Sequence, residues 1–203
     1  MKFSEQWLRE FVSPPLTTQQ LIDQLTMAGL EVDGFEPVAA SFSSVVVAEV
    51  LETSPHPDAD KLTVCRVNAG DQEVQIVCGA ANVRPGIKVP LAKVGAKLED
   101  FKIKKAKLRG VESFGMLCSE RELGLSDNHE GLMELPVDAP VGMDVRGYLQ
   151  LDDVIIDLDL TPNRSDCLGM IGLARETGVI NGLDVKSLTV LPVSPTHDQT
   201  FSV

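Results

Sequence analysis

Apolar residues in the first thirty positions repeat at the spacing of α-helices. Ser4 stands where a helix cap is needed, ahead of a short apolar segment that ends before two prolines. Thr17 and Gln20 form a capping-box pattern before a second segment of helical spacing, and Gly29 follows as a stop. The opening of the chain therefore predicts two short helices, each with an apolar face.

From residue 45 the hydrophobic pattern changes to the alternation that is typical of β-strands. Strands are predicted at 45–51, 62–67, 74–78, 88–92, 101–108 and 131–135. A short helical segment is predicted before the last of them, and glycines and prolines separate the others. Five or six short strands with one small helix favour a small closed barrel of the OB type.

After residue 150 the chain returns to a mixture of strand and helix. A strand is predicted at 154–160, and a second one at 185–193. Between them we expect a helix from Cys167 to about residue 180, capped by Ser165 or Asp166. The two ends of the chain therefore share one pattern and enclose another.

This arrangement predicts a domain inserted into another domain. The termini of a small domain often lie close together, so an insertion is the simplest organisation. We expect an α+β fold with a five-stranded OB-type β-barrel at 41–150. The barrel would interrupt a small discontinuous α/β domain formed by 1–40 and 151–203.

Composition limits the class of protein. The chain has 203 residues, of which 43% are hydrophobic and 24% charged, so it can bury a core and is not expected to be disordered. No apolar run has the length of a membrane span, and the first residues lack a signal-peptide pattern. The four cysteines are scattered, without the spacing of a metal site. We expect a cytoplasmic protein without a bound metal and without a membrane partner.

Charge is distributed unevenly along the sequence. The formal net charge is −12, but the middle segment 41–150 carries only −3 and the two flanks together carry −9. Within the middle segment, residues 97–109 carry a local charge of +4. An acidic chain with one basic segment indicates a localised contact with a polyanion. The alternative is an ordinary solvated strand face.

Three stretches of the middle segment carry a family resemblance. They are HPDADKL at 56–62, IVCGA at 76–80 and KLRGVESFGML at 107–117. In this order and spacing they resemble the tRNA-binding OB domain of the methionyl-tRNA synthetase C-terminus and of free-standing tRNA-binding proteins. The resemblance covers roughly 45–135 and implies that RNA crosses the open strand face.

The resemblance implies a set of RNA-binding residues on and after the basic segment. These residues are Lys102, Lys104, Lys105, Lys107, Arg109 and Ser113. Aromatic residues are few in the middle segment, so contacts would be mainly to phosphates and would weaken steeply with salt.

The flanks narrow the resemblance further. Trp7-Leu8, MAGLEVD at 27–33 and TPNRSDCLG at 161–169 resemble the N-terminal region of bacterial phenylalanyl-tRNA synthetase β subunits. That family is an α2β2 heterotetramer that joins phenylalanine to its tRNA with ATP and magnesium. Its adenylation site is on α and its editing site lies later in β. The resemblance thus implies a non-catalytic N-terminal piece without a cofactor of its own, whose partners are tRNA and the α subunit.

Two other functions stay open from the sequence. The barrel could be a spacer or a subunit-docking scaffold with negligible affinity for RNA, since function belongs to the site and not to the fold. The chain could also be a stand-alone tRNA-binding protein, although the acidic α/β flanks disfavour it.

Overall fold

The computed structural model describes residues 1–99, 101–194, 196–197 and 199–200. Asp100, which counts in the charge of the basic segment, lies outside the described residues, as does part of the predicted flanking domain at its C-terminal end. The chain forms two compact units, Met1–Phe35 with Ile156–Val203 and Glu36–Ile155. No described helix combines the length and the apolar character that a bilayer crossing requires.

Helices and strands alternate at the two ends of the chain, and strands dominate the middle. The first unit and its boundaries contain β1 (Lys2–Ser4), α1 (Glu5–Phe11), α2 (Thr18–Met27), β2 (Glu31–Pro37), β10 (Val154–Asp159) and α4 (Met170–Asn181). The second unit contains β3 (Ser43–His56), β4 (Ala59–Asn68), β5 (Glu73–Cys78), β6 (Lys88–Lys97), β7 (Ala106–Leu108), β8 (Val111–Ser113), β9 (Gly115–Leu117) and α3 (Val145–Tyr148). Single 3₁₀ turns lie at Arg121–Leu123 and Pro162–Cys167.

Both predicted N-terminal helices are confirmed, together with their caps. The Ser4 hydroxyl accepts a hydrogen bond from the backbone N–H of Trp7 at 3.0 Å at the start of α1. The complete capping box of Thr17 and Gln20 starts α2. In α1, Leu8 is fully buried, whereas 52% of Trp7 is exposed, so Trp7 lies outside the buried face.

The prediction for the last third of the chain is partly wrong. The predicted strand at 154–160 is confirmed as β10, but the predicted helix from Cys167 is a 3₁₀ turn followed by α4, which begins at Met170. A Cβ on Gly172 would lie 1.7 Å from the carbonyl oxygen of Asp166, so the glycine allows the turn to fold closely against α4. The prediction of a strand at 185–193 is wrong, since these residues have no regular structure and are mostly exposed.

A five-stranded antiparallel sheet organises the second unit, in the order β5-β4-β3-β6-β9. Its central strand β3 is buried on both faces. Val45 and Val47 pack in one hydrophobic cluster, while Val46, Ala48 and Val50 pack in another. Burial on both faces explains why this strand is a continuous apolar run.

The strand pairing leaves this sheet open, with β5 and β9 at its edges. A mixed α and β fold with antiparallel sheet is therefore confirmed, and a closed five-stranded barrel is not shown. The residues before β9 nevertheless reach β5. The N–H of Phe114 donates to the carbonyl of Gln75 at 2.9 Å, and the N–H of Val77 donates to the Ser113 hydroxyl at 3.1 Å.

Two predicted strands of the middle segment differ from the structure. The single strand predicted at 101–108 is divided, since residues 101–103 fold back on the end of β6 and β7 begins only at Ala106. The strand predicted at 131–135 is reduced to one bridge, between Lys88 and Leu135. Both departures shorten the ladder available for a closed barrel.

Candidate nucleic-acid interface

The first part of the basic segment is a short hairpin with β6. Ile103 exchanges backbone hydrogen bonds with Gly95 and Ala96, at 2.8 Å each, and its side chain is buried. Lys102 and Lys104, on either side of it, are exposed. Alternation therefore holds locally, as the sequence predicted, and turns two ammonium groups to solvent.

The second part is the β7–β8 hairpin. Its register pairs Lys107 with Glu112 and Leu108 with Val111 around a two-residue turn. Both turn residues, Arg109 and Gly110, have positive φ angles, of 44° and 92°. Type I′ turns require this conformation at both central positions. The turn therefore holds the exposed guanidinium at the tip of the hairpin.

His56 fastens this hairpin to the turn between β3 and β4. Its Nδ1 accepts the backbone N–H of Asp58 at 3.1 Å, so Nε2 carries the hydrogen of the neutral ring and donates to the Leu108 carbonyl at 3.0 Å. The side chain is only 5% exposed. The sequence alone does not reveal this link, because the two residues lie fifty-two positions apart.

Lys105 differs from the other lysines of the segment. Its Nζ lies 2.8 Å from a carboxylate oxygen of Glu112 and 4.7 Å from the centre of the Phe114 ring. The ammonium therefore has a carboxylate and an aromatic face as partners within the fold. Part of its charge is already neutralised by Glu112.

Ser113 lies inside the fold and not on the exposed surface. Only 2% of the residue is exposed, and its hydroxyl accepts from Val77 N–H and donates to the Gly115 carbonyl at 3.1 Å. With both hydrogen-bonding roles in use, the hydroxyl holds β8 against β5. This burial leaves Ser113 out of reach of a ligand on the surface.

Lys102, Lys104 and Lys107 have no ion-pair partner among residues 1–99 and 101–194. Among the described residues, Arg109 makes one long contact of 3.5 Å, with the Asp58 carbonyl. All five predicted cations are exposed, on and between two consecutive hairpins, and four of them are available to an anion. The fifth, Lys105, is partly occupied.

Comparison with known proteins finds similarity both at this surface and over the whole chain. Residues 45–144 match the model described as "Putative tRNA binding domain". The "Phenylalanine--tRNA ligase beta subunit" of Hahella chejuensis is 60% identical over 204 residues, and that of Idiomarina loihiensis is 62% identical over 205 residues. Both alignments cover 100% of this chain. Over its whole length the chain is thus similar to a part of phenylalanine–tRNA ligase β subunits.

The chain spans 26% of the length of these relatives. Among solved structures, a "MetRS related protein from Pyrococcus horikoshii" is 27% identical and matches 48% of this chain and 84% of its own. The TM-score of 0.37 is too low for a structural argument.

The flanking stretch that resembled the family contains an Arg-centred cluster. The guanidinium of Arg164 lies 3.3 Å from Asp166 and 2.9 Å from Glu176, on α4, and donates to the Cys167 thiol. Asp166, Cys167 and Glu176 offer ligand atoms within 4.8 Å of one another. Burial, aided by the hydrogen bond to Asp166, raises the pKa of the Cys167 thiol to about 11. The cation of this cluster is the guanidinium of Arg164 itself. We therefore interpret the cluster as a structural link between the 3₁₀ turn and α4.

Proposed function

We propose that this chain is the non-catalytic, RNA-contacting part of a phenylalanine–tRNA ligase β subunit. In this proposal residues 41–150 form a tRNA-binding domain, and the discontinuous domain of 1–40 and 151–203 carries it. The tRNA backbone lies along Lys102, Lys104, Lys107 and Arg109, with Lys105 in a lesser role and Ser113 positioning β8.

The observation that carries the proposal is the group of exposed cations on two adjoining hairpins. Lys102, Lys104 and Lys107 have no ion pair among the described residues, although the chain as a whole carries a net charge of −12. A basic patch of unpaired side chains on an acidic protein is the electrostatic feature expected of a contact with an external polyanion. The match of residues 45–144 to a tRNA-binding family model supports the same assignment.

The finer architecture is part of the proposal. We infer an OB-type barrel in which residues 113–114 complete the closure between β5 and β9. The two hydrogen bonds from this segment to Gln75 and Val77 support that closure. The OB arrangement would leave the hairpins at the rim of a strand face, where OB domains guide a nucleic-acid backbone.

The parent enzyme supplies the remaining parts of the proposal. Relatives named as ligase β subunits imply an α subunit, and we propose an α2β2 assembly that joins phenylalanine to tRNA with ATP and magnesium bound outside this chain. We also propose a cytoplasmic location. The four cysteines are free, as is usual in reducing compartments, which supports this location.

The test is tRNA binding by the chain across a salt series, with one cation of each hairpin reversed. Lys102→Glu with Lys107→Glu removes two proposed phosphate contacts. Each contact adds about 0.7 to 0.9 to the slope of log affinity against log salt, so the slope should fall by about 1.5. Affinity near 50 mM salt should fall by about tenfold or more.

A charge-matched control separates phosphate contact from net charge. Arg175→Glu with Lys186→Glu changes the net charge equally at two exposed positions of the first unit. The control should retain the slope of the unmodified chain. If both double variants behave equally, or if the chain does not bind tRNA at all, the proposal is refuted and the scaffold role is favoured. The internal bonding of Lys105 and Ser113 is consistent with that role.

A further inference from the structure

A cavity of about 740 Å³ opens in the second unit beside the first basic hairpin. Two of the stretches that carried the sequence resemblance line it, residues 77–80 of IVCGA and residues 116–117 of the GML step. Neither stretch contacts RNA in the function proposed above. Ligand sites in proteins have volumes of about 300–1000 Å³, so the cavity has the size of a small-molecule site.

Hydrogen bonds on two sides hold the cavity open. The side chain of Asn82 accepts from the N–H of Leu132 at 2.8 Å and donates to the Leu132 carbonyl at 3.0 Å, which fixes the wall at residues 131–132. On another side, the Glu122 carboxylate accepts from both the N–H and the hydroxyl of Ser119. The walls are therefore formed before a ligand arrives, which reduces the entropy lost on binding.

The cavity presents three groups of different chemistry. Phe101 lines the cavity and is 47% exposed, so its ring is accessible to a stacking partner. Arg121 lines the cavity, is exposed, and forms no ion pair with another described residue. Glu99 also lines it without an ion pair among those residues, whereas the carboxylate of Glu122 is already occupied by Ser119.

We propose that this cavity binds one unpaired nucleotide of the RNA. The base would stack on Phe101, and its exocyclic amino group would donate to Glu99. Arg121 would hold the phosphate. Stacking on aromatic rings and hydrogen bonding at free base edges are how proteins recognise splayed-out bases of RNA.

The position of the cavity connects it to the cation surface. Lys102 directly follows Phe101 in the chain and forms a β-bridge with Lys97 across the hairpin. A strand whose base occupies the cavity would therefore pass both lysines with its phosphates. The inference deepens the proposed function and rests on it for the identity of the polymer. The chemistry of the cavity itself is testable without the polymer.

The polymer test compares two RNA probes on the same 203-residue chain. One is single-stranded oligoadenylate of about 8 nucleotides, and the other is a blunt RNA duplex with the same number of phosphates. Phe101→Leu should weaken oligoadenylate binding by about tenfold, since a stacked base contributes a factor of this order or more. Duplex binding and the salt slope should not change. The matched control is Phe35→Leu, which removes a similarly exposed ring from the first unit.

The monomer test uses adenosine 5′-monophosphate, with saturation-transfer NMR as the readout. We expect a saturable signal that Phe101→Leu and Arg121→Gln abolish and that uridine 5′-monophosphate, which lacks the amino group, gives only weakly. The Arg175→Glu with Lys186→Glu variant should keep the signal, because both positions lie in the first unit, away from the cavity lining.

The two tests separate the inference from the proposed function. If the unmodified chain does not bind RNA but gives the nucleotide signal, the proposed RNA surface is wrong and the cavity site is retained. No saturable signal up to about 10 mM nucleotide overturns the cavity site, and so does an equal loss of duplex and oligoadenylate binding in Phe101→Leu.

Discussion

The link between His56 and the β7–β8 hairpin can be separated into its two hydrogen bonds by substitution. Asparagine at position 56 places a carbonyl oxygen close to the position of Nδ1 and can keep the bond from Asp58 N–H. Glutamine places an amide nitrogen close to the position of Nε2 and can keep the bond to the Leu108 carbonyl. Alanine removes both. The three variants therefore test which bond holds the hairpin.

The expected magnitude follows from the two bonds. Each intramolecular hydrogen bond contributes about 0.5–1.5 kcal/mol net, so His56→Ala should weaken hairpin docking by about 1–3 kcal/mol. His56→Asn loses only the Leu108 bond, and a loss of about 1 kcal/mol increases the open population about fivefold. His56→Gln should retain most of the docking.

Amide hydrogen exchange measures this opening directly. Protection should fall for the β7 and β8 amides in the alanine and asparagine variants and remain close to the original in the glutamine variant. The amides of the β4–β5 ladder serve as the internal control, since His56 does not contact that ladder's hydrogen bonds. Unchanged protection of β7 and β8 in His56→Ala refutes the link, and equal loss in the asparagine and glutamine variants refutes the assignment of the two nitrogens.

Two further predictions concern stability. Gly172→Ala should destabilise the chain by at least about 2 kcal/mol in urea unfolding, because the new Cβ would lie 1.7 Å from the Asp166 carbonyl oxygen. Gly147→Ala is the control: its Cβ would meet nothing within 4 Å, so the substitution should leave stability unchanged or raise it slightly. Burial, with smaller repulsion from Cys78 and Glu122 respectively, raises the pKa of Cys65 and Cys118 from 9.0 to about 12. Between pH 9.0 and about 12 the two thiols lose their protons in the unfolded chain but keep them in the folded chain. The free energy of unfolding should therefore decline over this range. At pH 8, iodoacetamide should label both thiols only after denaturation. Fast labelling of the folded chain, or a destabilised Gly147→Ala equal to Gly172→Ala, contradicts this reasoning.

The sequence correctly predicted helix caps and strands that depend on residues close together in the chain. The caps at Ser4 and Thr17 use hydrogen bonds that span three residues, and both were predicted from residue type and spacing. The central strand β3 was predicted from its run of β-branched residues, although it extends through Pro55 to His56. Its partner β4 pairs along that extension, so a proline that terminated the sequence pattern did not terminate the ladder.

The failures share a dependence on distant partners. Residues 185–193 have the composition of a strand but form no regular structure, and composition alone does not report whether a pairing strand is present. The helix predicted from Cys167 is interrupted at residues 168–169, and the turn before the interruption packs against Gly172 of α4. The cavity combines residues from 77 to 132, which no window of the sequence brings together.

The basic segment shows what charge counting can and cannot predict about binding. By sequence the five predicted RNA-binding cations are equivalent, but Lys105 already has Glu112 at 2.8 Å. A phosphate that recruits Lys105 must compete with that carboxylate. Screened surface pairs contribute little to stability, so the competition is mild, yet engaging Lys105 leaves the negative charge of Glu112 unpaired at the surface. The effective number of phosphate contacts is therefore about four, which predicts a salt slope of about −3 for tRNA. A slope near −1 would mean that the hairpins do not act together, and the shared backbone path along Lys102, Lys104, Lys107 and Arg109 would then be wrong even if the chain bound RNA.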